Sequence, residues 1–160
     1  MPPPCFKIEK PFPEPIVGVA TVEEIDRLNI FWATMLAMTR AVDALGLEPG
    51  TVLVDGNRCP DWRYPSRAIV GGDAKSRSIA AASIVAKVTR DRIMTDHAGE
   101  HPGYGWETNR GYGTPEHYRA LDRLGLTPLH RRSFAPVRQH ELALRTCSSA
   151  EAGVQIPAQD

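Results

Sequence analysis

Cysteine is scarce in this chain. Cys5, Cys59 and Cys147 are three scattered thiols with no Cys-x-x-Cys pair, which argues against a disulfide framework and against a structural zinc site. There is no uninterrupted apolar run of about 18 residues, so no membrane-spanning helix is expected. The N-terminus has prolines where a secretory signal would need an apolar segment. Free thiols and the missing signal together lead to the expectation of a cytoplasmic protein. A charge of one sign is also missing: 19 basic and 19 acidic side chains cancel, so the chain is no generic polyanion binder.

The charges that are present are unevenly placed. Residues 1–57 carry 4 basic and 8 acidic side chains, residues 58–138 carry 14 and 8, and residues 139–160 carry 1 and 3. A basic central block between acidic ends suits a surface that meets phosphates. Six of the 14 prolines fall within residues 1–15, which reads as an extended or disordered leader over 1–16. A single compact domain is expected over 17–139. Residues 140–160 lack apolar periodicity and are expected to form a loose tail.

Within the domain, Thr21 and Glu24 have the spacing of a capping box. Ile25, Leu28, Trp32, Met35, Leu36, Val42 and Leu45 then repeat at helical spacing, predicting one long amphipathic helix that stops at Gly46. Trp32, Met35 and Met38 are expected in the core. Thr51–Asp55 (TVLVD) reads as a strand covered on both faces, with Asp55 at its carboxyl end. A second strand is expected at Ala68–Val70. Gly71–Arg92 follows as a small-residue helix with no helix breaker, with Ala80, Ala81, Ala82 and Ser83 on a buried face and Lys87 and Asp91 presented together at its end. Asp73 is expected to cap it. The helix should end near Gly99, and His101–Thr114 should be a glycine- and aromatic-rich loop. Another helix should run from Thr114-Pro115 to about Leu124, stopped by Gly125. Strand, strand, helix in this order predicts an α/β fold with a partly parallel sheet, and ligands in such sheets sit beyond the carboxyl ends of strands.

Asp55 and Asp91, at the ends of their elements and beside a basic block, suggest metal-assisted phosphodiester chemistry. Magnesium and manganese need only a few projecting carboxylates and keep several waters. Spacing alone is weak support, and each residue has a plainer reading. Asp55 would cap the Gly56-Asn57 turn, Asp91 would pair with Lys87, and Lys87 and Arg90 would either balance Asp91 or contact phosphate. His130 and the Arg131-Arg132 pair would either touch backbone phosphates or form a solvated turn. His97, His101, His117 and His140 lack ligand-like spacing and are expected on the surface.

The wording of the motifs is specific. TVEEIDRLNIFWATMLAM, VLVDGN, GGDAKSRSIAAASIVAKVTRDRIM, PGYGW, RGYGT and HRRSFAPV occur in this order. Together, over about Val17–Gln139, they resemble ribonuclease HII, the bacterial type 2 ribonuclease H. The resemblance implies a ribonuclease H-like mixed central sheet flanked by helices, with a helical C-terminal part. It further implies an endonuclease that uses Mn2+ or Mg2+ to cut the RNA strand of RNA–DNA hybrids and at single ribonucleotides embedded in DNA. By this likeness Asp55 and Asp91 are the third and fourth metal-binding carboxylates, and Tyr112 stacks under the sugar at the RNA–DNA junction. The family's opening strand carries a D-E-A-G-R-G motif with the first two carboxylates, and this sequence does not contain it. Glu23-Glu24-Ile25-Asp26 is no substitute, since it lies in a helix the family also has. The expectation is therefore a truncated ribonuclease HII scaffold, monomeric or self-associating through an exposed sheet edge. Hybrid cleavage or, as the alternative, binding without cleavage follows from that reading.

Overall fold

In the computed structural model, residues 15–135, 137–139 and 142 are described; most of the expected leader and tail, with Cys5, Cys147 and His140, lies outside them. The order of elements is α1 (Val22–Leu28), α2 (Ile30–Asp43), β1 (Val52–Asp55), β2 (Ser66–Ile69), α3 (Gly72–Lys75), α4 (Arg77–Glu100), α5 (Trp106–Asn109) and α6 (Pro115–Leu124). β1 and β2 pair in parallel, Val52 opposite Ser66 and Asp55 opposite Ile69. The fold class is α/β. Among the described residues the sheet has these two strands alone.

The capping box at Thr21 forms as the sequence requires: Glu24 N–H donates to Thr21 Oγ1, and Thr21 N–H donates to Glu24 Oε2. The expected single helix, however, is two. Asn29 takes a positive φ of 68° with ψ 166°, a strained region outside the left-handed helical well. Its Oδ1 accepts from the backbone N–H of Phe31 and Trp32 and so caps α2 afresh. The apolar stripe survives the break, but its burial does not. Ala33 is the buried residue of α2, Met35 and Met38 are half-buried, and Trp32 stays 45% exposed, edge-on to Phe31 and under the Arg58 guanidinium. Gly46 does adopt the left-handed stop.

β1 is covered on one face rather than two: Val54 is buried and Leu53 is exposed. The small-residue helix is also interrupted. Ser76 is extended, with φ −133° and ψ 122°, and separates α3 from α4. Ala81, Ala82, Ser83 and Ile84 face solvent instead of a neighbour, while Ile79 is buried. Asp73 does not cap either helix; Gly71 and Ser76 hold those positions.

The main core lies at the other end of α4. Tyr104, Trp106, Ala120 and Leu121 are buried together, with Met94, Ala98, Leu126 and Leu129 packed against them. The rings of Tyr104 and Trp106 stack at 5.1 Å. Burying two aromatics of this size is worth roughly 4–6 kcal/mol each. The expected loop over His101–Thr114 therefore carries a helical turn and the centre of the core. His117 is buried rather than on the surface, because its Nδ1 lies 3.2 Å from the Tyr104 carbonyl and its ring stacks on His130. α6 matches expectation, with Thr114 as cap, Pro115 first and Gly125 at the end.

Candidate active site

β1 ends on Asp55, and the chain turns away at Gly56. The Asp55 carboxylate does not cap that turn. Its Oδ1 accepts a 2.8 Å hydrogen bond from Gly72 N–H, so the strand's last side chain holds the first turn of α3. Position 72 is crowded: a Cβ there would lie 2.6 Å from the end of the Ile79 side chain and 3.2 Å from Asp55 Oδ1, so a larger residue would push Ile79 aside. α3 and α4 both pack against β1, which fixes the start of α4 relative to the strand end.

Asp91 lies four turns along α4. Lys87, one turn earlier, donates to Asp91 Oδ2 at 2.6 Å. Arg90 makes only a long 3.9 Å approach to Oδ1, and among the described residues Oδ1 is buried without a hydrogen-bond partner. The hydrogen bond from Lys87, reinforced by the charges of Lys87, Arg110 and Arg90, holds the Asp91 carboxyl below the usual carboxylate range. A groove at this point is lined by Val88, Asp91, Arg92, Thr95, Asp96 and Arg110. Asp55 is not among its lining residues.

The loop after α5 brings Tyr112 to the same helix. Buried Asn109 donates to the Tyr104 carbonyl and accepts from Gly111 N–H, which fixes the turn. Arg110 hydrogen-bonds the Thr95 hydroxyl. Gly111 has φ 76°, which favours glycine there, and it lies against the flexible end of the Met94 side chain. Tyr112 then projects 61% exposed, with the Arg90 guanidinium 4.9 Å from its ring centre. The structure thus groups Lys87, Arg90, Asp91 and Tyr112, and ties Asp55 to the Gly72 backbone at the strand end.

One positioning residue was not legible. Asp26, on α1, accepts hydrogen bonds from Arg132 N–H, Ser133 N–H and the Ser133 hydroxyl. Partial burial pushes its carboxyl up, but these hydrogen bonds and the Arg131 charge outweigh that and hold it low. No local spacing signals a contact between residues this far apart in sequence.

Among the described residues no three His, Cys, Asp or Glu side chains come together as a metal site. Asp55 Oδ1 serves Gly72 and Asp91 Oδ2 serves Lys87. Two carboxylates would hold one hydrated magnesium or manganese ion loosely at best, and not the two ions of a two-metal site. The described helices include none long and apolar enough to cross a membrane.

Comparison with known proteins gives these residues a context. The family model described as Ribonuclease HII matches residues 12–137. The chain is 68% identical to Ribonuclease HII of Rhizorhabdus wittichii over 79% of its own length and 62% of the relative's. It is 64% identical to Ribonuclease HII of Sphingopyxis alaskensis over 79% and 64% of the two chains. Against Ribonuclease HII of Coxiella burnetii the identity is 55%, over 79% and 62%. The chain therefore spans about three fifths of the length of these curated relatives. Lys87, Arg90, Asp91 and Tyr112, grouped on one helix and its neighbouring loop, and Asp55 at the strand end all fall within the matched segment: the chain belongs to the ribonuclease HII family.

Proposed function

We propose that this chain carries the hybrid-recognition surface and two carboxylates, Asp55 and Asp91, of an endonuclease. That endonuclease hydrolyses the RNA strand of RNA–DNA hybrids and cuts at ribonucleotides embedded in DNA. The observation that carries this reading is the stack of Arg90 on exposed Tyr112, directly beside Asp91. An aromatic face next to a cation suits a sugar and its phosphate, and an ionised carboxylate one residue away suits hydrolytic chemistry at that phosphate. Manganese or magnesium is the family's cofactor. Asp55 and Asp91 would supply part of its ligand shell, with further carboxylates from outside the described set.

The same shortfall favours a second reading, in which the chain alone binds hybrid duplexes without cutting them. The exposed sheet edge and the exposed Leu53, Ile84 and Val88 support self-association of the chain on its own. A cleavage assay separates the readings. The chain is incubated with a labelled hybrid and Mn2+, with and without a fragment bearing the D-E-A-G-R-G strand. Cutting only when the fragment is added supports the endonuclease reading, and binding with no cutting in either case supports the second.

A further inference from the structure

The loop that presents Tyr112 carries a second cation onto α4. Arg110 closes α5 in the left-handed helical region, with φ 52° and ψ 31°, and its N–H donates to the Trp106 carbonyl. Helix ends in this conformation usually carry glycine or asparagine, so arginine at 110 is held against its backbone preference. Its guanidinium has a defined seat. Nη1 donates to the Thr95 hydroxyl, which donates in turn to the Asp91 carbonyl at 2.9 Å. Arg110 is thereby tied to the turn of α4 that begins at Asp91, and its half-buried side chain lines the same groove as Asp91.

By helical position Asp91 lies between Arg90 and Thr95. Tyr112 meets Arg90, and Arg110 meets Thr95, so one short loop touches α4 on both flanks of the carboxylate. Thr95 takes one of the five donors of the guanidinium. Among the described residues no carboxylate forms an ion pair with Arg110, and Asp91 is engaged by Lys87. A planar fork with donors to spare suits two oxygens of a phosphodiester. The carboxylates of Asp91 and Asp96 oppose an anion inside the groove, so the phosphate belongs at the edge that Arg110 holds.

We propose that Arg110 grips one backbone phosphate of the strand whose sugar meets Tyr112, and that Thr95 is the positioning residue that aims it. This rests on the hybrid-binding reading above. The loop then sets the spacing between the stacked sugar and the gripped phosphate, and so selects which phosphodiester lies over Asp91. Thr95 acts through Arg110 alone: its hydroxyl carries no charge and makes no contact with the duplex.

The test is a salt series of fluorescence anisotropy titrations of the full chain, without divalent ion, against an end-labelled DNA duplex containing one ribonucleotide. The duplex is also made with a single uncharged methylphosphonate at each position around the ribonucleotide. Arg110→Asn suits the left-handed backbone and should fold. It should weaken binding about five- to tenfold at low salt and lower the slope of log Kd against log salt by about one. Arg110→Lys should keep the slope. Thr95→Val should weaken binding about two- to fivefold with the slope unchanged, because the charge stays and only its aim is lost. One methylphosphonate position should penalise the wild type and leave Arg110→Asn unaffected. Wild-type affinity in Arg110→Asn, weaker binding with an unchanged slope, or equal penalties in both proteins at every methylphosphonate position overturns the phosphate contact. Wild-type binding by Thr95→Val overturns the positioning role. If Arg110→Asn does not fold, Arg110→Gly, which the same backbone accepts, takes its place with the same outcomes. Absence of wild-type binding at every salt concentration overturns the hybrid-binding reading itself, and the phosphate contact with it.

Discussion

The Lys87 ammonium and the Asp91 carboxylate, one helical turn apart on α4, meet at 2.6 Å. A residue read as a metal ligand is thereby already supplied with a positive charge from its own helix. Any divalent ion at Asp91 competes with that ammonium. Lys87→Met should strengthen Mn2+ binding about two- to fivefold, the range an exposed ion pair can contribute. It should also raise the Asp91 pKa back toward the ordinary value, because the Lys87 hydrogen bond is the main cause of its lowering. Carbon NMR of the Asp91 carboxyl reads the second effect and Mn2+ relaxation titration the first. Weaker Mn2+ binding in the variant would show that Lys87 assists the ion instead of competing with it.

A second ion pair sets the acid behaviour of the helical start. Arg40 on α2 grips both Glu24 oxygens at 2.6 and 2.7 Å. That hydrogen bonding, with the Thr21 N–H, lowers the Glu24 pKa from 4.5 to about 2. A carboxyl lowered on folding contributes stability above its unfolded pKa and loses it as pH falls through the folded value. The contribution should therefore fade between about pH 4.5 and pH 2. Thermal unfolding across that window should show a shallower acid loss in Glu24→Gln than in the wild type, and an identical slope in both would contradict this.

Tyr112 offers a ring to solvent and takes no part in the core. Tyr112→Ala should leave the melting temperature within about a degree or two and weaken hybrid binding by about 1–3 kcal/mol, the range for aromatic stacking on a base or sugar. Tyr112→Phe should retain most of the binding. Anisotropy and calorimetry on the same samples check both halves.

Trp106 is the converse case. It is 2% exposed and stacked on Tyr104, so Trp106→Ala should cost about 3–5 kcal/mol in a denaturant titration. A loss below about 1 kcal/mol would mean that the cluster beneath α4 is not the core.

Local chemistry made much of this fold legible. The Thr21 capping box, the Gly46 stop, the Thr114-Pro115 helix start and the parallel pairing around VLVD all follow from short-range rules. Tertiary relations were less visible. Asn29 breaks a helix without breaking its apolar phase, so periodicity ran straight through it. Ser76 splits the next helix without any glycine or proline to announce it. The burial of Tyr104, Trp106 and His117 depends on α6 folding back over the loop, which no window of neighbouring residues encodes. At the site, the motifs marked Asp55, Asp91 and Tyr112. What Asp55 holds, the backbone of Gly72, and what Asp26 holds, the turn at Ser133, became visible only through contacts between distant segments.

Asp55 and Asp91 are proposed above to belong to a hydrolytic site that needs further carboxylates. The direct measurement is Mn2+-dependent cleavage of a DNA duplex containing one ribonucleotide. It is made with the chain alone, with an added fragment bearing the D-E-A-G-R-G strand, and with the same fragment plus Asp55→Asn. The chain alone should give background cutting, the added fragment should bring cutting at the ribonucleotide, and Asp55→Asn should return it to background. Cleavage by the chain alone at the rate of a full-length relative would contradict the proposal, and so would full activity of the complemented Asp55→Asn variant.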